Sequence, residues 1–464
     1  MRLLSFLTLI SMLCGRAATC FAGGPIAVGG PALGVDGQPF VWDVSQGPIS
    51  YRVDSGPLSV NPSGTVVADN ANGLSRTQSG AQAWGIATTA IRYQNAGPIQ
   101  ASGSFAGGDV STAEQFNAVF GSCVSGAQNP VVFDANGSLF DQLIGDSFVI
   151  DFAGPCAVNT SGKITGAFVA LNGRFIDGVN DGKNNRELPS DAFDAALIHE
   201  FGHFSGLDHA QINLNCLLYG CSSSAETQGL PTMFPVLISL EQKTLSPDDQ
   251  SWISKLYPNG STAASYGTIS GHVFFSDGKT SAQGVNVIAR QTGNPGAIAI
   301  SAVSGFKFTG NPGQPVTSHY LPCSPASQCP PNGFRSDNSA GSSRGSRDSQ
   351  WIGYYEMLVP PGIYTIEVES IDPSFEGGSR VGPLNPPIAI PGGIPRFWKS
   401  GGTNHDDPYD NNSTVSVGAG ATVSDRDIIL EGTDATFDRF EDPGSKLEPR
   451  ELERLLAKDL EVLA

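Results

Sequence analysis

The eleven residues His199-Glu200-Phe201-Gly202-His203-Phe204-Ser205-Gly206-Leu207-Asp208-His209 constrain this chain more than any other stretch, because they hold three of its six histidines. Ahead of them, Pro189-Ser190-Asp191 is a helix-start signal in which Ser190 or Asp191 can cap, and Ala195, Ala196, Leu197 and Ile198 propagate the helix. Residues four apart share one helix face, so His199 and His203 project two imidazoles one turn apart. Gly206 can adopt the left-handed backbone that ends a helix, which lets His209 turn back toward the same point. Three neutral nitrogen ligands at this spacing suit one Zn2+ with a fourth position open. Such ligands leave the ion's charge largely uncompensated, so a water there loses its proton near pH ~7. Glu200 adjoins the first ligand, where its carboxylate can take that proton without binding the metal. The reaction class these residue types point to is metal-assisted hydrolysis of a peptide bond.

Charge and length bound the rest of the chain. Acids outnumber bases 44 to 26, for a net charge of −18, and no Lys/Arg-rich run occurs. Nucleic acid and anionic membrane surfaces both require basic surface and are excluded as partners. With 57 glycines among 464 residues and only 15% charged residues, strands and loops are expected rather than a helical bundle. Met1-Arg2, the apolar run Leu3 to Cys14 and the small residues ending at Ala22 have the layout of a secretory signal peptide over 1–22. A membrane anchor needs roughly 20 apolar residues, and Arg16 interrupts this run; no later stretch is long and apolar enough to span a bilayer. The expected destination is extracellular, ahead of a periplasm or a lipid anchor at Cys20. Of eight cysteines, Cys14 and Cys20 leave with the signal, and the remaining six suggest three disulfides. Proximity favours Cys123–Cys156, Cys216–Cys221 and Cys323–Cys329, and no Cys-x-x-Cys pair exists to start a zinc cluster.

Residues 23–39 are Gly/Pro-rich and read as an N-terminal arm. Residues 40–260 read as an α+β domain: Pro48 to Asp54, Asn129 to Phe133, Ser147 to Ile150 and Lys163 to Leu171 are strand candidates, and Ser75 to Tyr93 carries apolar residues at helical spacing. Beyond residue 260 the texture becomes all-β. Tyr266 to Arg290 reads as two strands joined at Asp277-Gly278, Tyr354 to Ser370 as two more around Pro360-Pro361-Gly362, and Thr414 to Leu430 restores alternation. A β-sandwich over 264–431 accounts for these, with a long insertion near 291–349. An acidic tail, 432–464, carries a short amphipathic helix with Leu452, Leu455, Leu456, Leu460 and Leu463 on one face.

The string from His199 to His209 is the extended motif of the metzincin zinc proteases, and the chain resembles that clan. Leu230-Pro231-Thr232-Met233-Phe234-Pro235 is similar to the methionine turn of matrixins, with Phe234 where matrixins usually have Tyr. Leu245-Ser246-Pro247-Asp248-Asp249, Trp252-Ile253 and Leu256-Tyr257 are similar to a matrixin closing helix. The resemblance covers roughly 40–258 and is strongest from 189 onward. It implies a zincin fold, a twisted sheet plus an active-site helix, with His199, His203 and His209 as zinc ligands and Glu200 as catalytic base. It further implies Met233 as a floor under the metal, and Phe234, Pro235 and Val236 in a substrate pocket. Lys163 to Leu171 would be the edge strand to which an extended peptide adds by backbone hydrogen bonds. Matrixins commonly carry structural Ca2+, for which Asp134-Ala135-Asn136-Gly137 with Asp141, and Asp177 through Asn185, are the acidic stretches; neither fits the twelve-residue calcium loop, and turn formation is their own reading.

Three departures from the matrixin pattern stand out. No propeptide cysteine precedes the domain; His272, His319 and His405 all lie too late to hold a second, structural zinc; and Asn215 to Gly229 inserts a cysteine-bearing loop between the third ligand and Met233. Further on, Gly267-Thr268-Ile269-Ser270-Gly271, Gly284-Val285-Asn286-Val287 and Pro361-Gly362-Ile363-Tyr364 resemble the carboxypeptidase-regulatory-like (transthyretin-like) sandwich. That resemblance implies a stabilising module or one that binds a surface or matrix ligand. The expected function is a secreted zinc endopeptidase acting on protein or peptide substrates. The alternative is a non-catalytic secreted binding or adhesion protein that keeps a vestigial metzincin fold and the sandwich.

Overall fold

A computed structural model describes residues 23–30, 33–145, 149–180, 187–282, 284–308, 346, 348–369, 396–400 and 414–430. The signal peptide over 1–22, Cys323–Cys329, and the tail over 432–464 lie outside the described residues. The architecture is mixed α/β, with several sheets and few helices. Two compact units divide it: residues 41–207 with 243–245, and residues 23–40, 208–242 and 246 onward. Among the described residues, no helix is long and apolar enough to cross a membrane. Disulfides Cys123–Cys156 and Cys216–Cys221 are closed, which fits an extracellular protein.

The first unit is built on strands β1 (Val41–Trp42), β2 (Ile49–Val53), β5 (Tyr93–Pro98), β6 (Pro130–Asp134), β7 (Asp151–Val158) and β8 (Lys163–Asn172), while β3 (Ser59–Val60) and β4 (Val66–Ala68) form a small separate ribbon. The main sheet runs β1-β8-β6-β2-β5 with all pairings parallel, and β7 lies antiparallel along β8. β6 is buried at every position and β8 at eight of ten, as expected where a parallel sheet is covered on both faces. The edge-strand assignment of Lys163 to Leu171 is therefore corrected: β8 has β1 and β6 on one side and β7 on the other, and β7 is the edge. The pattern hid β7 because Gly154 and Pro155 break its alternation, and the register shifts between Pro155 and Ala157; proline is tolerated at such an edge bulge. Of the Ser147 to Ile150 candidate, Val149 and Ile150 precede this strand, and Ser147 and Phe148 lie outside the described residues.

Helix α1 (Asn70–Ala83) starts earlier and stops sooner than its apolar spacing suggests, capped by Asp69 and ending at Trp84. Helix α2 (Ala113–Val124) opens with a capping box between Thr112 and Gln115. It packs Phe116, Val119 and Phe120 with Phe168 and Ala170 of β8 and, together with α3 (Ser138–Leu143), closes one core.

In the second unit, one sheet runs β11 (Ala299–Val303), β10 (Asn286–Gln291), β13 (Gly362–Glu369), β14 (Arg396–Phe397), with β15 (Thr414–Val417) also on β13. The other runs β12 (Tyr354–Val359), β9 (Gly267–Phe275), β16 (Thr422–Val423), with β17 (Ile428–Leu430) also on β9. The turn at Pro360-Pro361-Gly362 thus carries the chain from one sheet to the other instead of closing a hairpin, whereas that at Asp277-Gly278 folds Ser281 back antiparallel to Phe274 before the chain crosses to β10. Strand β11 falls within the stretch read as an insertion, and all five of its residues are buried.

The same unit includes residues 208–242, described below, and a helix, α7 (Pro247–Leu256), capped by Ser246 with Pro247 in its first turn. Trp252 Nε1 donates to Ser301 O at 2.7 Å, Ser301 N donates to Asp248 Oδ1 at 2.7 Å, and Ser251 Oγ donates to Leu358 O at 2.6 Å. Lys255 pairs with Glu356 of β12, and Lys307 lies 3.9 Å from the same carboxylate. Burial alone would raise the Glu356 carboxyl, but the two lysines hold it down at about 2; burial draws Lys255 below its usual range against that pull, which offsets part of the gain. A carboxyl lowered in the folded state stabilises above its unfolded value, about 4.3, and loses that contribution as pH falls toward the folded one. Glu356→Gln is therefore expected to cost about 2 kcal/mol at pH 7, less than a fully buried pair. The gap from wild type should close between about pH 4.3 and about pH 2, read by urea unfolding across that range. A gap that widens on acidification would contradict this assignment.

Candidate metal centre

Helix α4 (Ser190–Phe204) carries His199, Glu200 and His203. Its start differs from the expectation: Pro189 occupies the cap position and no side chain caps it. The candidate caps are drawn to cations instead. Ser190 Oγ accepts from Arg76 Nη2 at 2.7 Å, and Asp191 pairs with Lys243 at 2.6 Å. Asp194 completes the set, pairing with Arg76 of α1 and with Lys243 at 3.2 Å. Two tryptophans fix the far end, Trp84 Nε1 donating to Ile198 O at 2.7 Å and Trp42 Nε1 to Phe204 O at 2.9 Å. Beneath it Phe201 meets the rings of Tyr51 and Tyr93 edge-on at 5.8 and 6.0 Å. The helix is thus a rigid support, as a precise ligand pair requires.

Gly206, at φ +86°, ends the helix as expected, with Leu207 N donating to Gly202 O at 3.0 Å. The chain then brings His209 to the other two: one ring nitrogen from each of His199, His203 and His209 lies within 4.8 Å of the others. His199 Nε2 and His203 Nε2 are 3.0 Å apart. His203 Nδ1 lies 3.0 Å from Leu207 O, so that with Nδ1 protonated and donating there, Nε2 keeps its lone pair. Burial, and then His199, hold His203 neutral by lowering its pKa to about 3. Neutral imidazoles converging on one point are the donor set a zinc ion takes, so three close histidines here can hold a metal. Among the described residues this is the one such His/Cys/Asp/Glu cluster.

Glu200 is buried beside these rings in sequence, and its partner is Asp151 at the start of β7. Burial raises the Glu200 carboxyl well above its ordinary range, and the Asp151 charge and hydrogen bond raise it further. Burial raises Asp151 as well, so the pair retains a proton between two carboxyls. Glu200 Oε2 and Asp151 Oδ2 are both buried without a hydrogen-bond partner. Nothing in the sequence marks Asp151: only the register Asp151↔Leu171 brings it here.

Downstream, Met233 is buried, and its carbonyl accepts from Ala210 N at 2.7 Å. Asp249 of α7 organises this turn. Its carboxylate accepts from Thr232 N at 2.7 Å, Met233 N at 3.1 Å and Ser246 N at 2.8 Å. The motif reading placed Asp249 on the closing helix without this role. Phe234 is buried in a cluster with Cys216, Leu217 and Leu230, with Val236 packed against it; Pro235 and Val236 are half-buried. The inserted loop forms α5 (Asn215–Tyr219) and α6 (Ser224–Gln228), with Cys216–Cys221 closing the first of them. The stretches considered for calcium serve turns and an ion pair. Asp134 Oδ2 accepts from Phe140 N, Asn136 Oδ1 from Ser138 N and Asp177 Oδ1 from Val179 N, and Asp141 pairs with Arg174. Residues 181–186 lie outside the described residues. In comparisons with known proteins, no family model and no curated protein matches this chain.

Proposed function

We propose that the chain is a secreted zinc-dependent endopeptidase, with a matrixin-like metzincin catalytic domain followed by a carboxypeptidase-regulatory-like β-sandwich. The convergence of His199, His203 and His209 within 4.8 Å carries this reading. A Zn2+ held by the three imidazoles would supply a Lewis acid for the scissile carbonyl and lower the pKa of a water. Glu200, adjoining the first of these histidines on α4, would be the group that takes and returns a proton beside the metal. Strand β7 offers its outer edge to an extended peptide, and Asp151 sits at its first position. Met233 is the methionine of the turn, while Phe234, Pro235 and Val236 border the pocket for the residue after the cleaved bond. The two disulfides support an extracellular setting.

A second reading is a non-catalytic binding protein on the same scaffold, and the closed pairing of Glu200 with Asp151 is what favours it. Exposure of the zinc-loaded full chain to a quenched peptide library separates the two. Cleavage is expected. One zinc per chain with no peptide cleaved would favour the binding role.

A further inference from the structure

Within the second unit, the residues that follow His209 lie along one face of β10. Strand residues two apart point to the same side, and Asn286, Ile288 and Arg290 each meet one residue of Gln211-Ile212-Asn213. Asn286 Nδ2 donates to Gln211 O at 2.8 Å. Ile212 packs with Ile288 and Ala299 in a buried cluster. Arg290 Nη1 donates to Asn213 Oδ1 at 2.8 Å. Asn213 is itself buried, at φ +59°, a left-handed conformation that Asn accepts more readily than most residues. Its Nδ2 donates to Glu226 O and to Gly296 O, both at 3.0 Å, so both amide hydrogens and the amide oxygen are engaged. Arg290 is held in turn by Glu367 and, at 3.3 Å, by Glu369, both on β13. A Cβ at Gly229 would meet Gly296 O at 1.9 Å, so the loop that follows α6 touches the turn after β10 backbone to backbone.

Residues 208–212 belong to no helix or strand, and a ligand carried on irregular chain is precise only where its backbone is anchored. We propose that β10 is the positioning element of the third metal ligand. Asn213 and Arg290 fix the path of the chain just past His209 and so hold His209 within reach of His199 and His203. Asn213 and Arg290 are positioning residues: neither is a ligand, and each acts through the backbone that bears one. The inference rests on the zinc reading of the histidines. On it, the C-terminal strands are part of the metal centre's support, and loosening this network releases the third nitrogen before it unfolds the protein.

The test uses the full chain and Zn2+ or Co2+ alone as probe. Asn213→Gly keeps the left-handed backbone and removes the amide; Arg290→Gln removes the guanidinium; Val287→Ala, on the opposite face of β10, weakens the same sheet without touching the network. The expected result is a Zn2+ dissociation constant raised roughly tenfold or more in the first two variants. Their Co2+ visible absorption should weaken toward that of His209→Ala, while Val287→Ala keeps wild-type affinity and spectrum. Wild-type affinity and spectrum in Asn213→Gly and Arg290→Gln would overturn the proposal, as would an equal loss in Val287→Ala. A wild-type chain that binds neither ion would overturn the zinc reading, and this inference with it. Should Arg290→Gln fail to fold, because Glu367 is then buried without its cation, Asn213→Gly decides alone.

Discussion

Replacing Glu200 by alanine is expected to leave one zinc per chain and a folded protein, and to reduce peptide hydrolysis by about 10²–10⁴-fold. Metal retention follows because the donors are the three imidazoles, and the carboxylate is not among the clustered ligand atoms. Retention of the fold follows because the buried carboxyl is held at a desolvation cost, so its removal relieves as much as it loses. The loss falls on turnover because Glu200 is the carboxyl that adjoins a clustered histidine on α4, and Asp151 is linked to it by a hydrogen bond. Rates at saturating and limiting peptide, at matched zinc content, check this. A variant that cleaves at the wild-type rate would remove Glu200 from the mechanism.

The largest effect on stability is expected at Asp249, a residue outside the histidine string. Its buried carboxylate accepts three backbone N–H groups, from Thr232, Met233 and Ser246. Asp249→Ala leaves all three buried without acceptors, and each orphaned donor costs about 1–3 kcal/mol. A loss of about 3 kcal/mol or more follows, seen as a lower denaturant midpoint with little change in slope. Asp249→Asn keeps one acceptor oxygen and should cost less than Ala. Equal midpoints for wild type and Asp249→Ala would show that the turn around Met233 is held by its packing alone.

The histidine cluster is legible where its logic is local. The spacing of His199 and His203 on one helix face, and Gly206 as the helix stop, depend only on neighbours in sequence, and both appear as expected. What escaped depends on long-range pairing. Pro155 and the register shift beside it concealed β7 as the edge of the sheet, and Asp151 meets Glu200 only through that register. At the start of α4, sequence pattern favoured a Ser190 or Asp191 cap, but Arg76 and Lys243, distant in the chain, claim those side chains. Strand β11, Ala299–Val303, was masked by its small residues within a Gly/Pro-rich stretch; pairing along β10 and burial against α7, not its alternation, make it a strand. The match of Asn286, Ile288 and Arg290 to Gln211, Ile212 and Asn213 needed the fold, because no spacing rule links residues so far apart.

Metal dependence of turnover tests the central claim most directly. The full chain is stripped with a chelator, assayed on the quenched peptide library, reloaded with one equivalent of Zn2+ and assayed again. The account predicts silence when stripped and restored cleavage on reloading. Cleavage that survives complete removal of the metal would contradict it, as would none from a chain whose site is fully loaded.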